Sequence, residues 1–194
     1  LICGSVNYFI ITMENLQKVV DAVYNQQNVD IELLNFKPDL QSEETRKSIF
    51  SLLIDAYNVR MPFNKLIGVE VTELSLDRAV TSISSREELY GNFVQKIMHG
   101  GVISSVIDLT GGIIAQAHAF SNMKNVTIGE LMMKFSYMST LNFRVDFLRP
   151  GAGDKFTCVS RVVRAGNKVA VTQMEFLNMD NKQIAIGAGS YLIG

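Results

Sequence analysis

The chain contains no tryptophan, three prolines, two cysteines and two histidines among its 194 residues. Two cysteines, Cys3 and Cys158, cannot build a disulfide framework, and neither sits in a CxxC or Cys/His spacing that would hold a metal. His99 and His118 alone cannot form a multi-histidine centre. No uninterrupted apolar run approaches the ~18 residues of a membrane-spanning helix, so none is expected. Residues 1–11 are apolar but lack a basic flank and a small-residue cleavage site, which makes them a poor signal peptide. Met13, opening MENLQKVVDAVYNQQ, reads as a natural start with the preceding dozen residues as an upstream extension, and a cytoplasmic location is the default expectation. Charge is also scarce: 19% of residues are charged, against a usual share of roughly 25%. With a net charge of −1, a surface built for polyanions is not expected, because nucleic-acid affinity rests on neutralising phosphates.

What the chain has is apolar material. Hydrophobic residues make up 47% of it, enough to offset the entropy of ordering and to exclude a disordered protein. Against a prior of ~150 residues per domain, the length suits one domain with an extension. Residues 1–60 carry five Lys/Arg and eight Asp/Glu and read as an acidic helical extension; residues 61–194 carry thirteen and eleven and read as the domain proper. In the extension, Leu16, Val19, Val20 and Val23 place one helix over residues 13–27. Ile49, Leu52, Leu53, Ala56 and Tyr57 place another over 42–58, with Ser42 as its N-cap and Glu43 and Glu44 at its positive end. After Met61-Pro62, β-branched residues predict strands over 66–74 and 76–84, and residues 90–99 form an irregular approach to a long apolar stretch, 100–120. That stretch suits a buried helix. Strands follow over 141–148, 154–164, 168–178 and 183–193, with Ala165-Gly166-Asn167 as a hairpin connection. The order predicts an α+β fold, an antiparallel sheet wrapped around one helix.

The chemistry concentrates where that helix begins, in Asn92-Phe93-Val94-Gln95-Lys96-Ile97-Met98-His99-Gly100-Gly101 and on to Asp108. Gly100 and Gly101 leave backbone N–H groups uncovered at a helix N-terminus, a place that can hold a developing oxyanion. Asp108 stands two turns further on, in an otherwise apolar helix, where a carboxylate must be paired or be at work. Alternatively, the glycines only permit close packing and Asp108 satisfies some buried polar group. Seven residues separate Gly101 from Asp108, about 10 Å along the axis. One carboxylate cannot reach across that gap to a carbonyl held at its own helix start. If both act on one substrate, two helices must lie antiparallel across a two-fold axis, and the functional unit is a dimer with composite sites.

The pattern N-x6-HGG-x6-D, followed by Arg144-Val145-Asp146-Phe147-Leu148-Arg149-Pro150-Gly151, resembles the hotdog-fold acyl-CoA thioesterases of the PaaI-like superfamily, and among them the YigI-like bacterial branch. The likeness covers residues 61–194 and reaches 1–60 only weakly. It implies a hotdog fold, a sheet wrapped on a long central helix, and hydrolysis of an acyl-CoA thioester without a cofactor, CoA being part of the substrate. The expected partners are the acyl-CoA substrate and further copies of the chain, as a homodimer or as a dimer of dimers (homotetramer). By the same resemblance Asp108 is the catalytic carboxylate, as general base on water or as nucleophile. Gly100 or Gly101 polarises the thioester carbonyl, Asn92 orients carbonyl or water, and Thr140 falls where related enzymes carry a Ser or Thr beside the acid. Asn142 departs from the acidic residue expected there.

Plainer roles compete with each of these. His99 can fix the loop before the helix as well as meet substrate, and Gly111-Gly112 read as sites of close approach without a chemical role. Met132, Met133, Met138 and Phe143 suit a core or an acyl tunnel, since Met adapts to irregular apolar space. Residues 144–168 hold six Lys/Arg, including Arg144 and Arg149, and two acids. Either they face solvent or some of them, Arg149 first, hold the phosphates of CoA. The competing function is an acyl-CoA-binding sensor or regulator without turnover. A regulator would need a basic DNA-reading extension, whereas residues 1–60 are acidic. A hydratase would need a His with Asp or Glu pairing that the chain does not display.

Overall fold

The computed structural model describes residues 18–22, 25, 28 and 30–194. Residues 18–22 are helical; most of the helix expected over 13–27, with Cys3 and Met13, lies outside the described residues. Short helix α1 (Ile31–Asn35) leads to α2 (Glu43–Asp55), whose N-terminus is met by the Ser42 hydroxyl, accepting from the Thr45 N–H. The expected face of α2 is the buried one, with Ile49, Phe50, Leu52 and Leu53 turned inward. A π-helical turn, Ala56–Arg60, extends it and swings Tyr57 into the core, while Arg60 is held by Asp55 and Asp21.

Helix α3 (Pro62–Ile67) occupies the start of the stretch expected to be strand. Proline at the first helical position loses nothing, because that N–H has no helical partner, and Gly68 ends the helix in the left-handed region at φ 71°. The strands β1 (Val69–Leu74) and β2 (Ala79–Ser84) then form a hairpin whose turn is tied by the Ser75 hydroxyl. The ribbon β3 (Tyr90–Asn92) and β4 (Ile97–Met98) precedes α4 (Gly100–Ser121). Helix α5 (Ile128–Tyr137) was not expected from the apolar pattern. Thr127 and Glu130 start it with a reciprocal capping box. The chain ends in β5 (Ser139–Phe147), β6 (Lys155–Ala165), β7 (Val169–Asn178) and β8 (Gln183–Leu192).

Six strands form one antiparallel sheet in the order β1-β2-β6-β7-β8-β5, curled around α4. Helix α4 is long and apolar enough to cross a membrane by composition, but its Ile103, Val106, Ile107, Ile113 and Ile114 are buried within this protein. Each such side chain contributes about 1.5–3 kcal/mol of burial. Near the middle of α4, Gly111 lets the helix settle onto the sheet. A Cβ there would lie 2.3 Å from the Tyr191 hydroxyl and 2.8 Å from Thr172. Gly187 does the same from the sheet side, where a Cβ would lie 2.4 Å from Ile107. This is the antiparallel sheet wrapped around one helix that the order of elements predicts, and the hotdog architecture that the resemblance implies.

The extension is not separate from this core. Val19, Leu40, Ile49, Phe50, Leu53 and Tyr57 pack in one apolar cluster with Ile113, Ile114 and Ala117 of α4. Strand β5 is different: it forms the outer edge of the sheet, and most of its residues remain exposed on both faces.

Candidate active site

Helix α4 begins at His99, which caps it. The imidazole Nδ1 accepts from the Gly101 N–H at 2.9 Å, so the ring carries its proton on Nε2 in this arrangement. The cap distinguishes the two glycines. Gly101 has its N–H engaged, whereas among the described residues nothing accepts from the Gly100 N–H. Gly100 opens onto a groove of about 400 Å³ lined by Ile97, Met98, Ile103, Phe147, Arg149 and Gly151.

Two turns along, Asp108 is half-buried beside the start of β5. The Thr140 hydroxyl donates to its Oδ1 at 3.0 Å, and the Tyr191 hydroxyl donates to its backbone carbonyl at 3.0 Å. Burial raises the Asp108 pKa above the ordinary 3.8, while the Thr140 and Tyr191 hydroxyls pull it back down. Burial, and then the Asp108 charge, push the Tyr191 phenol up, so it stays a donor.

Asp108 and Thr140 open into a cavity of about 320 Å³, at the lower end of the usual range for small-molecule sites. Helix α4 supplies its floor through Ser105, Asp108, Leu109, Gly112, Ala115 and Gln116. Met138 at the end of α5 and the C-terminal end of β8 close one side; Tyr57, Met61, Phe63 and Asn64 close the other. Tyr57 donates from its hydroxyl to Gln116 Oε1 at 3.1 Å, and the buried Asn64 amide donates to the Tyr57 carbonyl at 2.9 Å.

The structure thus brings Asp108, Thr140 and Met138 to one cavity, and Gly100 and Arg149 to the other groove. Asn92 joins neither: its Oδ1 accepts from the N–H groups of Val94 and Gln95, both at 3.1 Å, closing the turn of the β3–β4 ribbon. Arg144 is held by Asp146 of its own strand, at 3.1 and 2.7 Å, which compensates its charge. Arg149 donates to the Gln183 carbonyl at 2.7 Å and faces no acid among the described residues. Phe143 and Met133 are exposed, so they belong neither to a core nor to this cavity. The sequence reading passed over Gln116, Tyr191 and Tyr57. Gln116 carried a signal, since it is a polar residue eight positions from Asp108 on the same face of an apolar helix. Tyr57 carried none, because its partner lies 59 residues away.

A sheet curled on one long helix, with a lone carboxylate at mid-helix and glycines at its start, is a hotdog architecture. A family model described as the Thioesterase superfamily matches residues 95–185. The medium/long-chain acyl-CoA thioesterase YigI of Salmonella typhimurium is 35% identical over 150 residues, 77% of this chain and 97% of that one. The same-named protein of Escherichia coli is 34% identical over the same shares. Among solved structures, a protein of Shewanella oneidensis related to the thioesterase superfamily superposes with a TM-score of 0.75. It is 35% identical, and the match covers 79% of this chain and all of that one. The PaaI protein of E. coli, 21% identical with a TM-score of 0.59 over 75% of this chain and 93% of that one, shares the fold. The chain belongs to the thioesterase superfamily.

Proposed function

We propose that this protein hydrolyses acyl-CoA thioesters at a site built from Asp108 of one chain and the Gly100 N–H of a second. Asp108 takes a proton from water as the water oxygen bonds to the thioester carbon. The carbonyl oxygen gains the electron pair of its π bond and is held by the Gly100 N–H. Collapse of that intermediate breaks the C–S bond; the thiolate of CoA leaves and is protonated, and the acyl group departs as the acid. The sequence is redox-neutral and draws only on side chains, backbone and water, so no cofactor is invoked. Thr140 fixes one carboxylate oxygen, and Arg149, which faces no acid among the described residues, would meet phosphates of CoA. The names of the relatives, medium/long-chain acyl-CoA thioesterases, support this substrate class.

The observation that carries the reading is a half-buried carboxylate, engaged by Thr140, opening into a partly apolar cavity. Gly100 and Asp108 lie eight residues apart on one helix, about 12 Å along its axis, so one chain cannot present both to one carbonyl. The outer edge of β5, to which no strand pairs among the described residues, supports pairing with a second copy, as a dimer that can assemble further. Neither nucleic acid nor a membrane has a part in this reading.

Asp108→Asn keeps the size and the Thr140 hydrogen bond but removes the base. Free-thiol release from short, medium, long and aromatic acyl-CoAs should fall by about 10²–10⁴-fold. Wild-type rates in that variant would overturn the mechanism. Ligand binding with no thiol release from the native protein would indicate the sensor instead.

A further inference from the structure

Tyr57 is buried, comes from the acidic leading segment, and has no part in the chemistry described above. Its position is nevertheless defined by the cavity. Three turns of α4 form the floor, and Asp108, Gly112 and Gln116 follow one another along it at one-turn intervals. The Tyr57 hydroxyl bonds to Gln116, and a Cβ built on Gly112 would lie 3.7 Å from that same oxygen. The phenol therefore sits over the floor between one and two turns beyond the carboxylate, about 6–12 Å along the helix axis. Glycine at 112 presents no side chain there, and a Cβ would come into ordinary contact with Tyr191 and with the phenol. Met61, Phe63 and Met138 add apolar surface around it. Buried polar groups must be paired, so the phenol–amide bond holds this wall in one place. Burial followed by the Asp108 charge raises the Tyr57 pKa, so the phenol remains the donor in that bond.

We propose that Tyr57, pinned to Gln116, is the wall that limits how far an acyl chain can run along α4 from the thioester held at Asp108, and so selects medium-length acyl groups over long ones. The proposal rests on the acyl-CoA reading and adds to it the residue that reads chain length. A saturated chain running from Asp108 toward Gly112 gains burial with each methylene until it meets the phenol. Beyond that, a longer chain must either fold back or displace a bonded pair. Opening or narrowing the space at this point therefore moves the preference in opposite directions.

The test compares octanoyl, lauroyl and palmitoyl thioesters of CoA with the full-length protein. Tyr57→Ala should raise the palmitoyl-to-octanoyl ratio of kcat/KM by at least about tenfold, the scale of one methylene in an apolar pocket. Gly112→Ala should lower that ratio; its Cβ finds only ordinary contacts, 3.5 Å to Tyr191 and 3.7 Å to Tyr57, so the fold accepts it. Tyr57→Phe keeps the ring but loses the bond to Gln116, and should raise the ratio less than Tyr57→Ala does. Circular dichroism and melting check each variant, and if Tyr57→Ala does not fold, Gly112→Ala decides the matter alone. A folded pair of variants with the native ratio overturns the assignment. Should the native protein hydrolyse none of the three, calorimetric binding of the corresponding S-alkyl-CoA thioethers provides the ratio instead. A shift in those affinities upholds the wall while the hydrolase reading falls, and no shift removes the wall as well.

Discussion

Asp108 is held between two opposing influences. Burial favours its neutral form, while the hydrogen bond from Thr140 favours the charged one. A base must be deprotonated to act, so kcat/KM should fall as pH drops through a pKa that lies above the ordinary carboxylate value. Removing the Thr140 hydroxyl removes an interaction with the charged form. Thr140→Val should therefore move the acid limb of the profile to higher pH, with a loss at neutral pH of about tenfold, the worth of one charge-assisted hydrogen bond. Thr140→Ser should restore both. The readout is kcat/KM across the acidic range for all three proteins. An acid limb that does not move in the valine variant would place Thr140 outside the site. This scale is also where the motif could mislead: HGG presents two glycines alike, and only the His99 cap separates Gly101, whose N–H is engaged, from Gly100.

At the level of elements, the Gly111-Gly112 pair illustrates what was legible in the sequence and what was not. Both residues weaken a helix interior by about 1 kcal/mol relative to alanine, and their spacing gives no reason to treat them differently. The sheet does. Gly111 faces Tyr191, Thr172 and Met174, with clashes at 2.3–2.9 Å awaiting any Cβ, whereas Gly112 faces the cavity. Gly111→Ala should destabilise by about 1–3 kcal/mol through overpacking. Gly112→Ala should be neutral or stabilising by up to about 1 kcal/mol, as the more restricted residue relieves the helix. Chemical denaturation of both variants checks the contrast, and equal effects would mean that the helix is not seated as described. The α4 helix and the last three strands were readable because apolar periodicity and turn residues coincide there. Helix α5 was obscured because its methionines suited several roles, although Thr127 and Glu130 marked its start. Helix α3 was hidden because a proline at the first position of a helix resembles a break. The bond between Tyr57 and Gln116 depends on how two distant elements pack, and no local pattern encodes such a meeting.

At the scale of the whole molecule, β5 remains unexplained by one chain. Phe147 approaches Gly100, so it faces α4, and period-two alternation puts Phe143 and Val145 on that same face. Yet Phe143 and Phe147 remain 40% and 54% exposed, along a nine-residue strand that pairs only with β8 among the described residues. An edge of that kind is ordinarily covered. Antiparallel pairing of two β5 strands would cover it and set the α4 helices side by side in opposite directions, bringing the Gly100 end of one near Asp108 of the other. Complementation tests this directly. Gly100→Pro deletes the N–H while remaining acceptable at the first helical position, and His99 already has the extended backbone, φ −63° and ψ 134°, that a following proline requires. Alone, this variant should lose about 10²–10³-fold in kcat, the effect of removing one oxyanion donor. Asp108→Asn should also be nearly inactive. When the two are unfolded together and refolded as a mixture, half the dimers pair one of each, and one of the two sites in such a dimer has both native parts. Activity should then recover to about a quarter of the wild-type level. A mixture no more active than its components, with light scattering showing that subunits have exchanged, would mean that each chain carries a complete site of its own. The uncovered face of β5 would then have to serve some other contact.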